Sequence, residues 1–452
     1  MNSMIYMKKA LISIIFVLVY TTTFAQSIYI CKGGKYTKVD VAEGLEISLI
    51  EGIDSVTFSE PQFDIPTIDT GLPIVFINTP GRADITSKKD WMENASITIK
   101  KADGSIDYCD DALQIRGRGN SSWMMPKKPY ALKLSDKAEI LGMPQHKRWI
   151  LLANWMDRTL MRNAIAFHIS SLTGLEWTPH GEFVEVVLNG KHIGNYYLCE
   201  QIKVDKNRVN ITKMKETDTD GEAVTGGFLV ELDTHFDEIN KFKSATKSLP
   251  YMFKDPDETL LQPAQFSYFE NYINAMEEKL YSNDWLANRE YTNYMDLTSF
   301  VDWWFVHELM MNDEPAHPKS CYMHKDRAGK LKAGPVWDFD YSTLTPNEIS
   351  IWIAKSDLYY ERLFSDPEFV TLVKERWAMF KTKFDTVPEY IRSVASKIKA
   401  SNEINYNMWP LSEHTSGSVN GDKDLSFDEA IDRLIWSYMA KLSWLDTQIN
   451  NM

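Results

Sequence analysis

The sequence predicts an α+β protein whose first half is rich in strands and whose second half is rich in helices. Three observations carry this. Between residues 72 and about 255, short runs of β-branched and aromatic residues are separated by turns containing Gly and Asn. From about residue 257 the apolar residues recur at helical spacing over long segments. The 452 residues are 44% hydrophobic and 12% aromatic, a globular composition with enough apolar material for a sizeable core.

At the N-terminus, Lys8 and Lys9 precede an apolar run from Ala10 to Tyr20, and "TFAQ" resembles a cleavage site after Ala25. Residues 1–25 therefore read as a secretory signal peptide. The apolar run is short for a membrane span, which needs about 20 residues. The expectation is an exported protein, periplasmic, at the cell surface or secreted, with no stable membrane span after cleavage. Residues 26–60 read as a small β-rich extension, with "SIYICK", "YTKVDV" and "DSVTF" as short strands. Residues 61–71 read as a linker, and the main domain is expected over 72–452. Cys31, Cys109, Cys199 and Cys321 lie far apart with no CxxC pair, which argues against a zinc site.

Within the first half, "PIVFINT", "ASITIKKADG", "ALQIRGRG", "PYALKL", "WILLANW" and "GGFLVELD" are strand candidates. "VVLNGKHIGNYYLC" places Asn-Gly between two apolar runs, a hairpin signal. "DRTLMRNAIAFHISSLTG" has helical spacing and ends at Gly174. In the second half, amphipathic helices are expected in "PAQFSYFENYINAMEEKLYS", "LTSFVDWWFVHELMM", "DPEFVTLVKERWAMFKTKF", "VPEYIRSVASKIKA" and "SFDEAIDRLIWSYMAKLSWLDTQIN", with Asp296 and Ser426 as N-caps. A short β piece, "KSCYMHKDRAGKLKAGPVWDFDYS", interrupts them, and "SEHTSGSVNGDKD" reads as a polar, flexible loop.

A formal net charge of −14 argues against a general nucleic-acid binder, but not against a local anion site. The acidic candidates come first. In "GPVWDFD", Asp338 and Asp340 are two apart, and an extended segment points both carboxylates to one side. Two convergent carboxylates suit Mg²⁺, which shares its remaining positions with phosphate oxygens. The alternative is a solvated turn. Asp313 follows an apolar helix in "HELMMNDEP", where it could serve as a base for a substrate hydroxyl or simply sit at a helix terminus.

The basic candidates lie in "QIRGRGNSSWMMPKKPYALKL", where Arg116 and Arg118 share a face if the strand continues. Gly117 and Gly119 allow close backbone approach or a bulge. Lys133 rises from the face of "PYALKL" opposite Tyr130, Leu132 and Leu134, either as a functional cation or as an ordinary solvent-facing lysine. Lys127 and Lys128 read as turn residues. The histidines form no HExxH pattern, and no GxSxG elbow occurs.

Taken together, "IRGRGNSSW" with "KKPYALKL", then "WILLANWMDRTLMRN", "GNYYLCEQIKVDKNRVNI", "GGFLVELD" and "GPVWDFD" resemble the spore-coat protein H (CotH) kinase family in this order, from about residue 72 to 445. The resemblance implies a two-lobed, atypical protein-kinase-like fold. It also implies ATP, Mg²⁺ or Mn²⁺, and transfer of the γ-phosphoryl group to a hydroxyl of a protein substrate. On that resemblance Lys133 corresponds to the strand lysine that pairs with phosphates, with Arg116 and Arg118 cradling them. Glu200 and Gln201 lie near the adenine. Asp313 resembles the catalytic-loop aspartate, Asp338 the metal-binding aspartate, and Asp340 assists it. Many relatives carry an Asn after the catalytic Asp, where this chain has Lys319 and Ser320. The alternative implied function is a surface binding or adhesion protein on a degenerate kinase scaffold.

Overall fold

The computed structural model describes residues 68–257, 259–411 and 420–452, together with the backbone of three short strands at 27–32, 35–40 and 55–57. The expected signal peptide lies outside the described residues, as does most of the expected linker. Strands β1 (Ser27–Lys32), β2 (Lys35–Asp40) and β3 (Ser55–Thr57) form an antiparallel sheet in the order β2-β1-β3.

Seven strands of the first half close into a barrel. They are β4 (Ile74–Asn78), β5 (Met92–Lys100), β6 (Ile106–Gly117), β7 (Tyr130–Ile140), β8 (Met143–Leu152), β9 (Gly181–Leu188) and β10 (Lys191–Glu200). The order is β10-β8-β7-β6-β5-β4-β9, and closure abolishes the exposed edges of an open sheet. All the pairs are antiparallel except β4 with β9. The predicted hairpin joins β9 to β10, with both Asn189 (φ 53) and Gly190 (φ 82) in the left-handed region, as a type I′ turn requires.

Side chains alternate across the barrel wall. Leu113, Ile115, Leu132, Leu134, Trp149, Leu151 and Leu198 fill one core inside it. Their neighbours Arg116, Lys133, Arg148, Ile150 and Cys199 therefore face outward. Ile150, Leu152, Tyr197 and Cys199 join a second and larger core, shared with the helical half. One flank of the barrel is thus a wall of the interior, and the cations beside it lie where the two halves meet.

The predicted helix after β8 starts later than its spacing suggests, as α1 (Arg162–Ser171). The Asp157 carboxylate accepts from the backbone N–H of Thr159 at 2.9 Å and of Arg162 at 2.7 Å, which holds the preceding residues in turns. A second sheet, β12-β13-β11-β14-β15, comprises β11 (Phe228–Leu232), β12 (Lys241–Lys243), β13 (Pro250–Asp255), β14 (Cys321–Lys325) and β15 (Lys332–Ala333). The helices of this half are α2 (Pro263–Tyr281), α3 (Leu297–Met310), α4 (Pro367–Phe384), α5 (Val387–Met408) and α6 (Phe427–Asn450); α3 packs on β15 and α5 on β10 of the barrel. Asp296 and Ser426 cap α3 and α6 as expected, accepting from Ser299 N at 3.1 Å and Glu429 N at 3.3 Å. Every residue of α3 from Phe300 to Met310 is buried, so it is the central helix of the large core. Among the described residues no helix is long and apolar enough to cross a membrane.

The mixed architecture matches the sequence-based expectation. Two local readings are corrected. Residues 334–339 are not a strand, and Asp338 has φ +69, so the alternation argument for Asp338 and Asp340 does not apply. The polar loop is not free throughout. Residues 412–419 lie outside the described residues, but Asn420 and Asp422 are buried and bonded.

Candidate active site

The β6–β7 connection is a packed hairpin. A Cβ on Gly117 would lie 2.3 Å from the Trp123 ring, so this glycine admits the indole. Lys127 is a buried anchor rather than the expected turn residue, only 1% exposed. Its ammonium donates to Ala153 O at 2.9 Å, to Asn405 Oδ1 at 2.9 Å and to Asn195 O. Burial pushes its amine down to about 7. These bonds tie the hairpin to β8, β10 and α5. The terminal amine of Lys128 donates to Trp123 O at 2.8 Å, inside the loop itself.

The other cations line the outer face of the wall. Arg118 sits just beyond β6, its guanidinium 5.3 Å from the Trp337 ring centroid and close enough to Asp338 to favour the ionised carboxylate. Arg116 lies 4.5 Å from the Trp91 ring centroid and donates to Lys89 O at 3.0 Å. Lys133 is half-buried and falls in register between Gln114 and Arg148. Arg116 and Arg118 neighbour each other, as their spacing suggested.

The acidic side is assembled from three segments. Asn312, buried at the end of α3, donates from Nδ2 to Asp338 O at 3.1 Å and accepts from Glu314 N at 2.8 Å. It thereby brings the turn carrying Asp313 against the loop carrying Asp338. Asp233, just past β11, is the third contributor. It accepts from His235 N at 2.7 Å, lies 2.8 Å from His235 Nδ1, and acts electrostatically on both Asp338 and Glu314.

Asp338 is open to solvent although protein surrounds it densely. That crowding raises its carboxyl, Arg118 pulls it back, and Asp233 raises it further. Asp340 is half-buried and pushed well above the carboxylate range, by burial first and then by Asp338 and Asp157. Glu314 is pushed up to about 8 by burial and by Asp338, against the pull of Lys319. Its Oε2 is buried without a partner.

Asp313 is half-buried at the rim and raises Asp357, which burial and Glu308 carry to about 6. Glu200 lies elsewhere in role. It is fully buried, 2.5 Å from Arg208 and 2.9 Å from His180, and also accepts from His180 N at 3.0 Å. Its carboxylate is consumed by these partners.

The acid loop is held from below by the "WILLANWMDRTLMRN" stretch. Phe339 N donates to Asn163 Oδ1 at 2.8 Å, and Asn163 is held in turn by Asn154 at 3.1 Å. Asn420 Nδ2 donates to Asp340 O at 3.0 Å, and Arg162 Nε donates to Thr343 O at 3.1 Å. Arg162 is itself fixed between Asp157 and Asp422, the latter at 2.6 Å.

A divalent cation suits this chemistry. Crowded carboxyls raised by one another, and an orphaned Glu314 oxygen, are the features a cation would relieve. Among the described residues no three His, Cys, Asp or Glu side chains by themselves form a metal site. The side chains would thus supply only part of a shell, as expected for an ion completed by phosphate and water. Asp338 and Asp340 would hold it, with Glu314 beside them.

Asp233 and Glu314 escaped the sequence reading. The carboxylate directly after a buried strand, in "GGFLVELD", was the signal for Asp233. Glu314 had none beyond its adjacency to Asp313.

A family model described as CotH kinase protein matches residues 115–443, from inside β6 to inside α6. No curated protein matches the chain.

Proposed function

The chain belongs to the CotH kinase family, and on that premise we propose that it is an exported, two-lobed, atypical kinase transferring the γ-phosphoryl group of ATP to a protein hydroxyl with Mg²⁺ or Mn²⁺. The observation that carries this reading is the placement of the Arg118 guanidinium over Trp337, near enough to Asp338 to favour the ionised carboxylate, where the barrel wall meets the acid loop. Phosphoryl transfer needs cations against phosphate oxygens next to carboxylates that hold a metal. Here Arg118 stands beside Asp338, and Arg116 beside Arg118.

Each residue has a part in the proposal. Arg116, Arg118 and Lys133 neutralise phosphate oxygens from the barrel side. Asp338 and Asp340 hold the divalent ion, which when bound screens the charge that builds between the transferring and leaving oxygens. Asp313, half-buried and close to Glu314, Glu348 and Asp357, orients the acceptor hydroxyl and takes its proton. Asn312, Asn163 and Asn420 keep the acid loop in place so that little reorganisation is needed during the reaction. The adenine end is assigned to the backbone around Glu200 and Gln201, because the Glu200 carboxylate is already spent on Arg208 and His180.

The test uses γ-labelled ATP with Mg²⁺ or Mn²⁺, comparing the protein with Asp338→Ala. Incorporation lost in the variant supports the reading. Equal background labelling of both proteins, with no nucleotide-dependent thermal shift, would sink it.

The second reading, a surface binding protein on a kinase scaffold, draws on the residues after Asp313. Lys319 and Ser320 stand where many relatives carry Asn, and Ser320 Oγ reaches Asp338 Oδ2 only at 3.5 Å. Binding on a glycan array by a protein without phosphotransfer would favour this alternative.

A further inference from the structure

The barrel wall carries more positive charge than the phosphate-binding role assigned above uses. Arg148 lies on the outward face of β8, paired in register with Lys133, and its guanidinium is 4.6 Å from the same Trp91 ring centroid that Arg116 approaches at 4.5 Å. Two guanidiniums thus share one indole, separated by no more than the sum of those distances; Arg116 disfavours the charge of Arg148, and Arg118 that of Arg116. Continuing the same way, the pairing of Glu200 with Trp149 brings the segment after β10 alongside Arg148, and Lys203 stands there.

Burial lowers Arg116, Arg148 and Lys203 alike. Among the described residues none of the three is ion-paired, and Arg116 Nε is buried without a partner.

The facing acids offset this row only in part: Glu238 favours the charge of Arg116, and Asp257 those of Arg148 and Lys203, but none forms an ion pair with it. Lys254 takes Glu231 at 3.1 Å and Glu238 at 2.5 Å. Asp257 accepts from Thr259 N at 3.0 Å and Thr259 Oγ1 at 2.7 Å. Asp255 attracts Lys203 but is not within pairing distance, and burial raises its own carboxyl. A chain of mutually repelling, partly desolvated cations is costly to fold unless an anion completes it. Planar guanidiniums packed on an indole are preset to bind phosphate oxygens in pairs.

We infer that Arg148 and Lys203, together with Arg116 beside Trp91, form an anion-binding stretch that seats the polyphosphate of the nucleotide along the outer barrel wall, leading from Asp338 toward the Gln201–Val204 segment. This rests on the phosphotransfer reading for the identity of the anion. The row itself does not.

Calorimetric binding of ATP, inorganic tripolyphosphate and adenosine to the full chain tests it, with Arg148→Gln and Lys203→Met measured beside wild type. Each variant should weaken ATP and tripolyphosphate at least ~10-fold and leave the ligand-free protein as stable as wild type or more so, because a repelled charge has gone. A residue that merely braces the fold would lower ligand-free stability instead. Wild-type affinity for both phosphates in either folded variant overturns the inference and leaves the phosphotransfer reading standing. Binding of tripolyphosphate without ATP keeps the anion stretch and removes the nucleotide. Binding of neither by wild type overturns both. Should Arg148→Gln fail to fold, Lys203→Met carries the same comparison.

Discussion

The Asn312 carboxamide donates to the backbone carbonyl of Asp338 at 3.1 Å, joining positions 26 residues apart. Its oxygen takes the Glu314 N–H at 2.8 Å, so one buried side chain sets the spacing between the two acidic segments. Asn312→Leu removes both bonds at similar volume. The expected outcome is a loss of phosphotransfer of ~100-fold, with destabilisation of only ~1–3 kcal/mol from the groups left unpaired. Activity assays alongside urea unfolding check this. Full activity in the variant would mean that the two segments do not need this tie.

Glu314 gives a pH prediction. With its carboxyl raised to about 8, it must lose a proton before a cation can use it. Divalent-ion affinity should therefore strengthen as pH rises between about 6 and about 8, approaching ~10-fold per unit where one proton is displaced. Glu314→Gln should lower that slope and leave the part that Asp340 contributes. Mn²⁺ titrations across pH read it directly.

The same group has a stability signature in the metal-free protein. Its folded-state pKa lies above the ordinary 4.5, so the folded state retains a proton that the unfolded state has released. Stability then falls as pH rises from about 4.5 to about 8, and a bound cation offsets the fall. Thermal melts with and without Mg²⁺ should converge at the acid end of that window and separate at the alkaline end.

Glu200 separates structure from ligand binding. Glu200→Gln leaves Arg208 buried opposite a neutral amide and should cost ~3–5 kcal/mol. If the variant folds, its KM for ATP should match wild type, since the carboxylate is held by Arg208 and His180. A selective rise in KM with unchanged stability would restore a side-chain role at the nucleotide.

Lys127→Met strands three acceptors, on Ala153, Asn195 and Asn405. The expected loss is at least ~3 kcal/mol in chemical denaturation. Hydrogen exchange should then rise in both the β6–β7 connection and the facing part of α5. Protection unchanged in α5 would contradict the anchoring role.

What could be read from the chain alone was local. Period-two alternation placed Leu132 and Leu134 inside and Lys133 outside. Asn189-Gly190 marked its hairpin, and Asp296 and Ser426 capped their helices, because each signal acts over a few residues. The paired Asp338 and Asp340 were visible as a motif, but the extended backbone assumed for them was not what brings them together. A left-handed residue at Asp338, braced by Asn312, Asn163 and Asn420, does that.

The tertiary structure alone decided what depends on distant pairing. Closure of the barrel needs β4 beside β9, more than a hundred residues away, and no local period encodes it. The same closure turned Lys127 inward, set Arg116 and Arg148 on one indole, and left Arg118 facing Asp338. A basic side chain has one chemistry in sequence. Its role here follows from which carboxylate, carbonyl or ring the fold places within reach, a matter of long-range geometry that residue spacing does not contain.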